Sequence, residues 1–314
     1  EYAVPLNIQI QANGTHAQAV YTGTDINYHI SVKPIYETSI KLSRSSYKVE
    51  TGSIFNLFYE IFPESATYKD VTWTSSNPSV ATVDGGCVRA LSPGTTQITA
   101  KSHHGKTASC SVNVEQRTND ISVGDYYYSD GTTSSSLNPS KTVVGVVCSL
   151  LDAVADDPNV LAKDHPSCTH GLVISLDEYD ASIKMSNGDG DWVGANKWAQ
   201  DNGYRDFYLT DAALGYSNTK ALLKYKEASG NYIRLFGTDE AYQRHKSAYS
   251  ISVETSGWYL PSFVEMEAIA ENFSKVSASL KAVKASYELR PGDRYWISTQ
   301  TSNSWMAKTY VLSN

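Results

Sequence analysis

The chain has 314 residues, 41% of them hydrophobic and 19% charged, which is too long for one ordinary β-sandwich, suits two domains and excludes global disorder. Its formal net charge of −7 is uneven: residues 1–35 carry −1, residues 36–116 balance seven basic against seven acidic side chains, and the remaining 18 basic and 24 acidic side chains leave −6. An acidic C-terminal part repels phosphate backbones and anionic lipid, which excludes nucleic acid and membrane surfaces as partners and favours neutral or cationic ligands.

Near the N-terminus Val4, Leu6, Ile8 and Ile10 alternate with polar residues, as do Ile26, Tyr28, Ile30 and Val32, so both runs predict half-buried strands. Residues 1–36 are too short for a core of their own and are expected to belong to an upstream domain or to pack on the domain after them. From Glu37 the pattern becomes a series of short strands: Ile40 to Leu42, a long one over Ile54 to Ile61, Val71 to Trp73, Val80 to Val83, Cys87-Val88, Thr96 to Ala100 and Ala108 to Val114. About seven strands without a helical period predict a β-sandwich over 37–116, with Trp73 filling the space between its sheets and His103-His104-Gly105 at a solvated hairpin tip.

Residues 116–125 predict a polar linker, and the periodicity then changes. Strands over Thr142 to Cys148 and Gly171 to Leu176 alternate with helices over Asn218 to Glu227, capped by Ser217-Asn218, and over Phe263 to Val283, started by Pro261-Ser262. This alternation predicts an α+β domain over 121–314. The 22 tyrosines, against 7 Phe and 3 Met, suit half-exposed strands and binding faces, because Tyr joins a rigid apolar body to a polar tip. Cys87, Cys110, Cys148 and Cys168 fall two to each half, compatible with one disulfide per half in an oxidising compartment or with buried thiols.

The run WTSSNPSVATVD over residues 73–84, followed by Gly85-Gly86, Ala90-Leu91, Gly94-Thr95-Thr96 and Ile98-Thr99-Ala100, resembles the bacterial Ig-like domain of group 2. That resemblance covers about 37–115 and implies a spacer of surface proteins such as adhesins. Trp258, Leu260, Pro261, Ser262, Glu265 and Met266 are similar to the W-x-L-P-S/T-x-x-E-L/M signature of Lcl C-terminal-type domains, and Tyr295, Trp296, Ser298, Thr299 and Trp305 to its closing Y-W-x-S-T…W. The segments Gly124 to Gly131 and His170 to Ile174 resemble the start of the same domain. This second resemblance implies a C-type-lectin-like fold that recognises ligands or glycans, so the expected architecture is mainly β, then α+β.

Asn187, Asp189 and Asp191 place oxygen ligands at alternate positions, as a calcium loop requires. Trp192 and Trp198 then stand where an EF-hand needs its Gly and its bidentate Glu, so a Gly/Asp surface turn is the stronger reading and calcium the weaker. Asp164, His165, Cys168 and His170 gather metal- and nucleophile-type groups without a second cluster to complete either chemistry. Carboxylate pairs such as Asp156-Asp157 do not by themselves make a glycosidase. The aromatic residues Trp192 and Trp305, with Asp189 and Asp191, are the expected ligand contacts, since loops on a rigid scaffold collect binding residues.

The leading expectation is a non-enzymatic adhesion or carbohydrate-recognition protein, without cofactor, binding a glycan or a host or matrix protein. It is expected to be extracellular and anchored at the outer membrane as a lipoprotein whose targeting segment has been removed before Glu1. The alternative is a structural or assembly subunit of a surface appendage. A formylglycine-generating type of enzyme, also built on a lectin-like fold, would need a late cysteine pair, and the chain has no Cys after Cys168.

Overall fold

In the computed structural model of the protein, residues 34–118, 121–176, 192–229, 247–251, 255–284, 286–287, 289–300 and 309–312 are described. The chain divides into two compact units, Glu1–Val49 with Leu57–Glu115, and Glu50–Asn56 with Gln116–Asn314. The strands expected over residues 4–32 lie outside the described residues.

In the first unit β1 (Ser39–Leu42) is followed by β2 (Ser46–Glu50). After β3 (Ile54–Asn56), which falls within the second unit, come β4 (Tyr59–Phe62), β5 (Val71–Ser75), β6 (Ala81–Asp84), β7 (Cys87–Ala90), β8 (Gly94–Ser102) and β9 (Thr107–Glu115). β2, β9, β8 and β5 form one sheet in that order, β1 pairs with β4, and β6 and β7 make a hairpin. The core follows from strict alternation. On β8, Thr96, Ile98, Ala100 and Ser102 are buried, whereas Thr95, Gln97 and Lys101 are exposed. Cys110 lies opposite Ile98 and Val112 opposite Thr96, so the same face continues across β9. Each fully buried Ile or Val contributes about 1.5–3 kcal/mol by leaving water.

One local expectation is corrected here, and two are made specific. The single strand over Ile54 to Ile61 is two, β3 and β4, with the Leu57 N–H donating to the Gly86 carbonyl (2.9 Å) and the Phe58 carbonyl accepting from Ser43 N–H (2.8 Å). Trp73 is half-buried on the core face of β5, opposite buried Ala100, and meets Tyr59 edge-to-face with centroids 6.1 Å apart; a Cβ on Gly86 of the β6–β7 turn would lie 3.3 Å from its ring, which fits its expected place between the sheets. The His103-His104 tip is exposed, as expected, and is also tied down. Buried Glu37 accepts from the His104 backbone N–H (2.7 Å) and from its Nδ1–H (2.9 Å), while His103 stacks on Tyr68 at 4.5 Å. Burial pushes the Glu37 carboxyl up, but hydrogen bonds from the His104 backbone and the Ser102 hydroxyl, among others, outweigh it and hold the group at about 2, from an ordinary 4.5.

The second unit is built on a four-stranded antiparallel sheet in the order β11-β10-β12-β13, where β10 is Tyr126–Tyr128, β11 Thr133–Ser134, β12 Val143–Ser149 and β13 Leu172–Ser175. Six consecutive residues of β12, Val144 to Ser149, are buried, as expected of a strand covered on both faces. Short α1 (Ala153–Asp156) and α2 (Leu161–Asp164) precede β13. They are followed by α3 (Trp192–Asp201), α4 (Gly215–Ser229), α5 (Phe263–Glu271), α6 (Phe273–Val283) and the hairpin β14 (Arg294–Trp296) with β15 (Thr309–Val311). Met266 and Ile269 of α5, with Val276 and Leu280 of α6, join Tyr126, Tyr128, Val146 and Cys148 of the sheet in one core.

The helix expected over Phe263 to Val283 is two helices, because Asn272 closes α5 by donating from its amide Nδ2 to the Ala268 carbonyl (2.9 Å). α4 begins at Gly215, so Ser217 and Asn218 lie in its first turn rather than capping it. All four cysteines are thiols, and the described residues contain no disulfide, contrary to the one-bridge-per-half reading.

Two outcomes follow from this packing. A Cβ on Gly145 would lie 2.4 Å from the Ile174 carbonyl oxygen and 2.5 Å from Val173 Cγ1. Gly145→Ala is therefore expected to destabilise the second unit by about 1–3 kcal/mol through overpacking, read from the midpoint of urea unfolding. Because the Glu37 carboxyl is depressed in the folded state, its contribution is complete above about 4.5 and is lost as pH falls through about 2. Acid unfolding monitored between those values should be shallower in Glu37→Gln than in the wild type.

Candidate functional site

Described residues of two C-terminal motifs, Tyr259 to Glu265 and Ser298-Thr299, meet in one buried polar hub. Ser262 is the N-cap of α5 and Glu265 its third residue. The Ser262 hydroxyl accepts from Glu265 N–H, and Glu265 Oε2 accepts from Ser262 N–H (2.6 Å), a capping box. The same Oε2 accepts from Gly215 N–H at 3.1 Å, and Oε1 accepts from the Tyr259 hydroxyl at 3.0 Å. A Cβ on Gly215 would fall 2.2 Å from Glu265 Oε2, so only glycine lets α4 begin there. From the other motif, Ser298 N–H donates to the Pro261 carbonyl (2.8 Å), and the Thr299 hydroxyl accepts from Phe263 N–H (2.9 Å). Burial raises the Glu265 carboxyl against the opposing pull of these donors, and burial beside Glu265 pushes Tyr259 well up.

Aspartates close the neighbouring loops in the same way. Asp152 caps α1. Buried Asp156 accepts from Asn56 N–H (3.1 Å), Asn56 Nδ2 (2.8 Å) and Ala213 N–H (2.9 Å), and burial lifts its carboxyl to about 7 despite those bonds. Asp157 accepts from Val160 and Leu161 N–H, both at 3.1 Å. Arg117, expected in a linker, is 8% exposed at its side chain. It donates to the Thr51 carbonyl (2.9 Å) and the Ser53 hydroxyl (3.1 Å), and lies 3.6 Å from Glu50.

The arrangement most open to a ligand lies where α2 ends beside the start of α4. Tyr216 and Lys220 stand one turn apart on α4. The Tyr216 hydroxyl donates to Asp164 Oδ2 at 2.8 Å, and the Lys220 ammonium pairs with the same oxygen. His165 meets the Tyr216 ring edge-to-face at 5.4 Å, Tyr259 meets it at 6.0 Å, and Lys220 Nζ lies 5.8 Å from its centroid. Beyond α3, Tyr204 stacks on Trp198 at 6.2 Å. Lys220, then Tyr216, hold the Asp164 carboxyl below its usual range, while burial and Asp164 raise Tyr216. Burial also raises Tyr204, partly offset by Lys220. The Asp164 and Lys220 side chains remain 31% and 28% exposed.

Of the ligand contacts expected from sequence, Asp189, Asp191 and Trp305 lie outside the described residues, as does Asn187 of the calcium candidate. Trp192 is the first residue of α3. The run from Asp164 to His170 does not act as one cluster. Asp164 and His165 face Tyr216, whereas His170 lies 3.8 Å from Glu50. From the sequence Tyr204 and Tyr216 count among the C-terminal rings on which a sugar could stack, but Lys220 carries no ligand role and nothing in spacing joins the three to Asp164.

Residues 37–112 match the family model of the bacterial Ig-like domain, group 2. The first unit contains a bacterial Ig-like domain. A Bacteroides ovatus protein provisionally designated fimbrium tip subunit Fim1C is 29% identical over 223 residues, covering 60% of this chain and 40% of that protein. An Ig-like virion protein of Serratia phage KSP90 is 36% identical over 88 residues, 27% of this chain and 34% of that protein. The chain thus spans less than half the length of either curated relative. Domains 4 and 5 of the S-layer protein SbsC superpose with a TM-score of 0.23 at 24% identity, covering 26% of this chain and 53% of that one.

The hub makes a sharp test of its own. Glu265→Ala would leave two buried N–H groups and a hydroxyl without their acceptor, at about 1–3 kcal/mol each. Glu265→Gln keeps an acceptor for Ser262 and Gly215 and offers Tyr259 a donor, so it should cost less than about 1 kcal/mol. Urea unfolding of the two variants should separate them widely; equal losses would show that the charge, not the acceptor geometry, holds the hub.

Proposed function

We propose that the chain is a subunit of a bacterial surface appendage, in which the Ig-like domain is a spacer and the second unit carries a non-enzymatic recognition surface. The observation that carries this reading is the extent of the match to the Bacteroides ovatus protein. Residues 1–112 are about a third of the chain, so a match covering 60% of it necessarily takes in residues beyond the Ig-like domain. An Ig-like module shared by many unrelated proteins does not account for that. Recognition of a glycan or of a host or matrix protein by a lectin-like second unit belongs to the same proposal, as does anchoring at the outer membrane through a lipid.

The chemistry of the second unit supports binding over catalysis. Its buried carboxylates, Asp156, Asp157 and Glu265, are the groups whose shifted titration would suit acid–base work. Each is instead engaged by backbone N–H groups at a helix start or loop. The lectin-type signatures likewise build the scaffold: Ser262, Glu265 and Thr299 accept from buried backbone donors, and the Trp258 indole N–H donates to the Tyr249 carbonyl at 2.7 Å. Ligand contacts are then expected on the surface that this scaffold holds, not within the signatures.

Immunogold labelling of intact producing cells with antibody to the chain tests the proposal. Gold on surface filaments is the expected outcome. Label confined to the cell interior, or spread over the envelope without filaments, would overturn the appendage reading.

A further inference from the structure

We propose that Asp164 and Lys220, bordered by the rings of Tyr216, His165 and Tyr204, form a binding site for a neutral pyranose sugar. The inference deepens the recognition role proposed above, and it rests on what the pair leaves unused. Both contacts to Asp164 fall on Oδ2, from the Tyr216 hydroxyl and from Lys220. Oδ1 has no hydrogen-bond partner among the described residues. An ammonium has three donors, and among the described residues Lys220 commits one, to Asp164. An open anionic acceptor and open cationic donors therefore sit side by side, already oriented. Vicinal ring hydroxyls, each able to donate and to accept, match that pair: one donates to Oδ1 while its neighbour accepts from Nζ. Such charge-assisted bonds are about twice as strong as neutral ones.

The rings supply the other half of sugar recognition. The Tyr216 ring is fixed by His165 and Tyr259 edges and by the bond of its hydroxyl to Asp164. Tyr204 is fixed by stacking on Trp198, and its hydroxyl lies within electrostatic reach of Lys220 and Asp164. Half-buried rings of this kind present faces on which the C–H side of a pyranose packs, and being held in place they lose little entropy on binding. Stability alone is a poor reason for the arrangement, because an ion pair this exposed contributes little to folding. The ligand should be neutral. Lys220 is balanced by Asp164, and the net charge of −6 over the C-terminal part disfavours anionic sugars and phosphates.

The test uses the full chain on an array of neutral and sialylated oligosaccharides, with calorimetry on each hit and a parallel array of immobilised peptides. Binding to neutral glycans is expected, weakened at least tenfold by Asp164→Asn, Lys220→Met and Tyr204→Ala. Lys220→Arg should retain part of the affinity, and Asp164→Asn and the Lys220 variants, whose side chains are part-exposed, should keep the wild-type unfolding midpoint, so that their loss of affinity is not a loss of fold. A Tyr216→Phe variant, which keeps the ring, should lose less than Tyr204→Ala. Absence of glycan binding at millimolar sugar, hits whose affinity the variants leave unchanged, a preference for sialylated ligands, or binding to peptides through these residues would each overturn the proposal. Gold labelling of filaments is read independently, so the sugar site can fail while the appendage assignment stands, and the reverse.

Discussion

A buried carboxylate must find donors or lose its charge, and in the second unit Glu265 meets that demand with groups from two separate stretches of chain. Its oxygens accept from Ser262 at the start of α5, from Gly215 at the start of α4 and from Tyr259 between them. Two helix N-termini, each with unsatisfied N–H groups, are thereby held against one acidic side chain, which also suits the positive ends of both helix dipoles. The position of Tyr216 and Lys220 depends on this, since they occupy the first turns of the helix that Gly215 begins. A larger residue at Gly215 would push α4 off Glu265 and carry the exposed Asp164 pairing with it.

The same device recurs. Asp152, Asp156 and Asp157 each cap or close a turn, and Asp156 draws Asn56 and Ala213 onto one carboxyl group. Part of the acidity of the C-terminal part is thus structural. The buried members titrate unusually: burial lifts Asp156 to about 7, so its proton is held in the folded state across a pH range in which the unfolded chain has released it. By linkage its contribution falls as pH rises from about 4 towards 7. Glu37 behaves oppositely, because its burial is outweighed by donors from His104 and Ser102. Whether a buried carboxylate is pushed up or down is set by the balance between donors and desolvation, and a sequence shows neither.

What could be read from the sequence was local. Alternation along β8 and β9, the turn at Gly85-Gly86 and the Ser262 start of α5 come from period, φ preference and capping chemistry within a few residues. The misreadings arose where a distant partner decides. Ile54 to Ile61 has the apolar run of one strand, yet its first part belongs to the second unit, and its break is fixed by bonds to Gly86 and Ser43. His103 and His104 do stand at an exposed tip, but the sequence did not show that Glu37, 67 residues away from His104, holds it. Asn272 is a middling helix residue whose own side chain ends α5.

The candidate site is the extreme case of that limit. Asp164 and Lys220 lie 56 residues apart, one ending a helix of four residues and the other on a helix of fifteen. No motif spans them, and singly each reads as an ordinary surface charge. Adjacency in the chain is a weak guide to a binding surface, which needs donors, acceptors and ring faces converging from different elements. Here convergence is produced by the buried carboxylate hub: it fixes where α4 starts, the start fixes which side chains meet α2, and only then do an open acceptor and an open donor come to stand together.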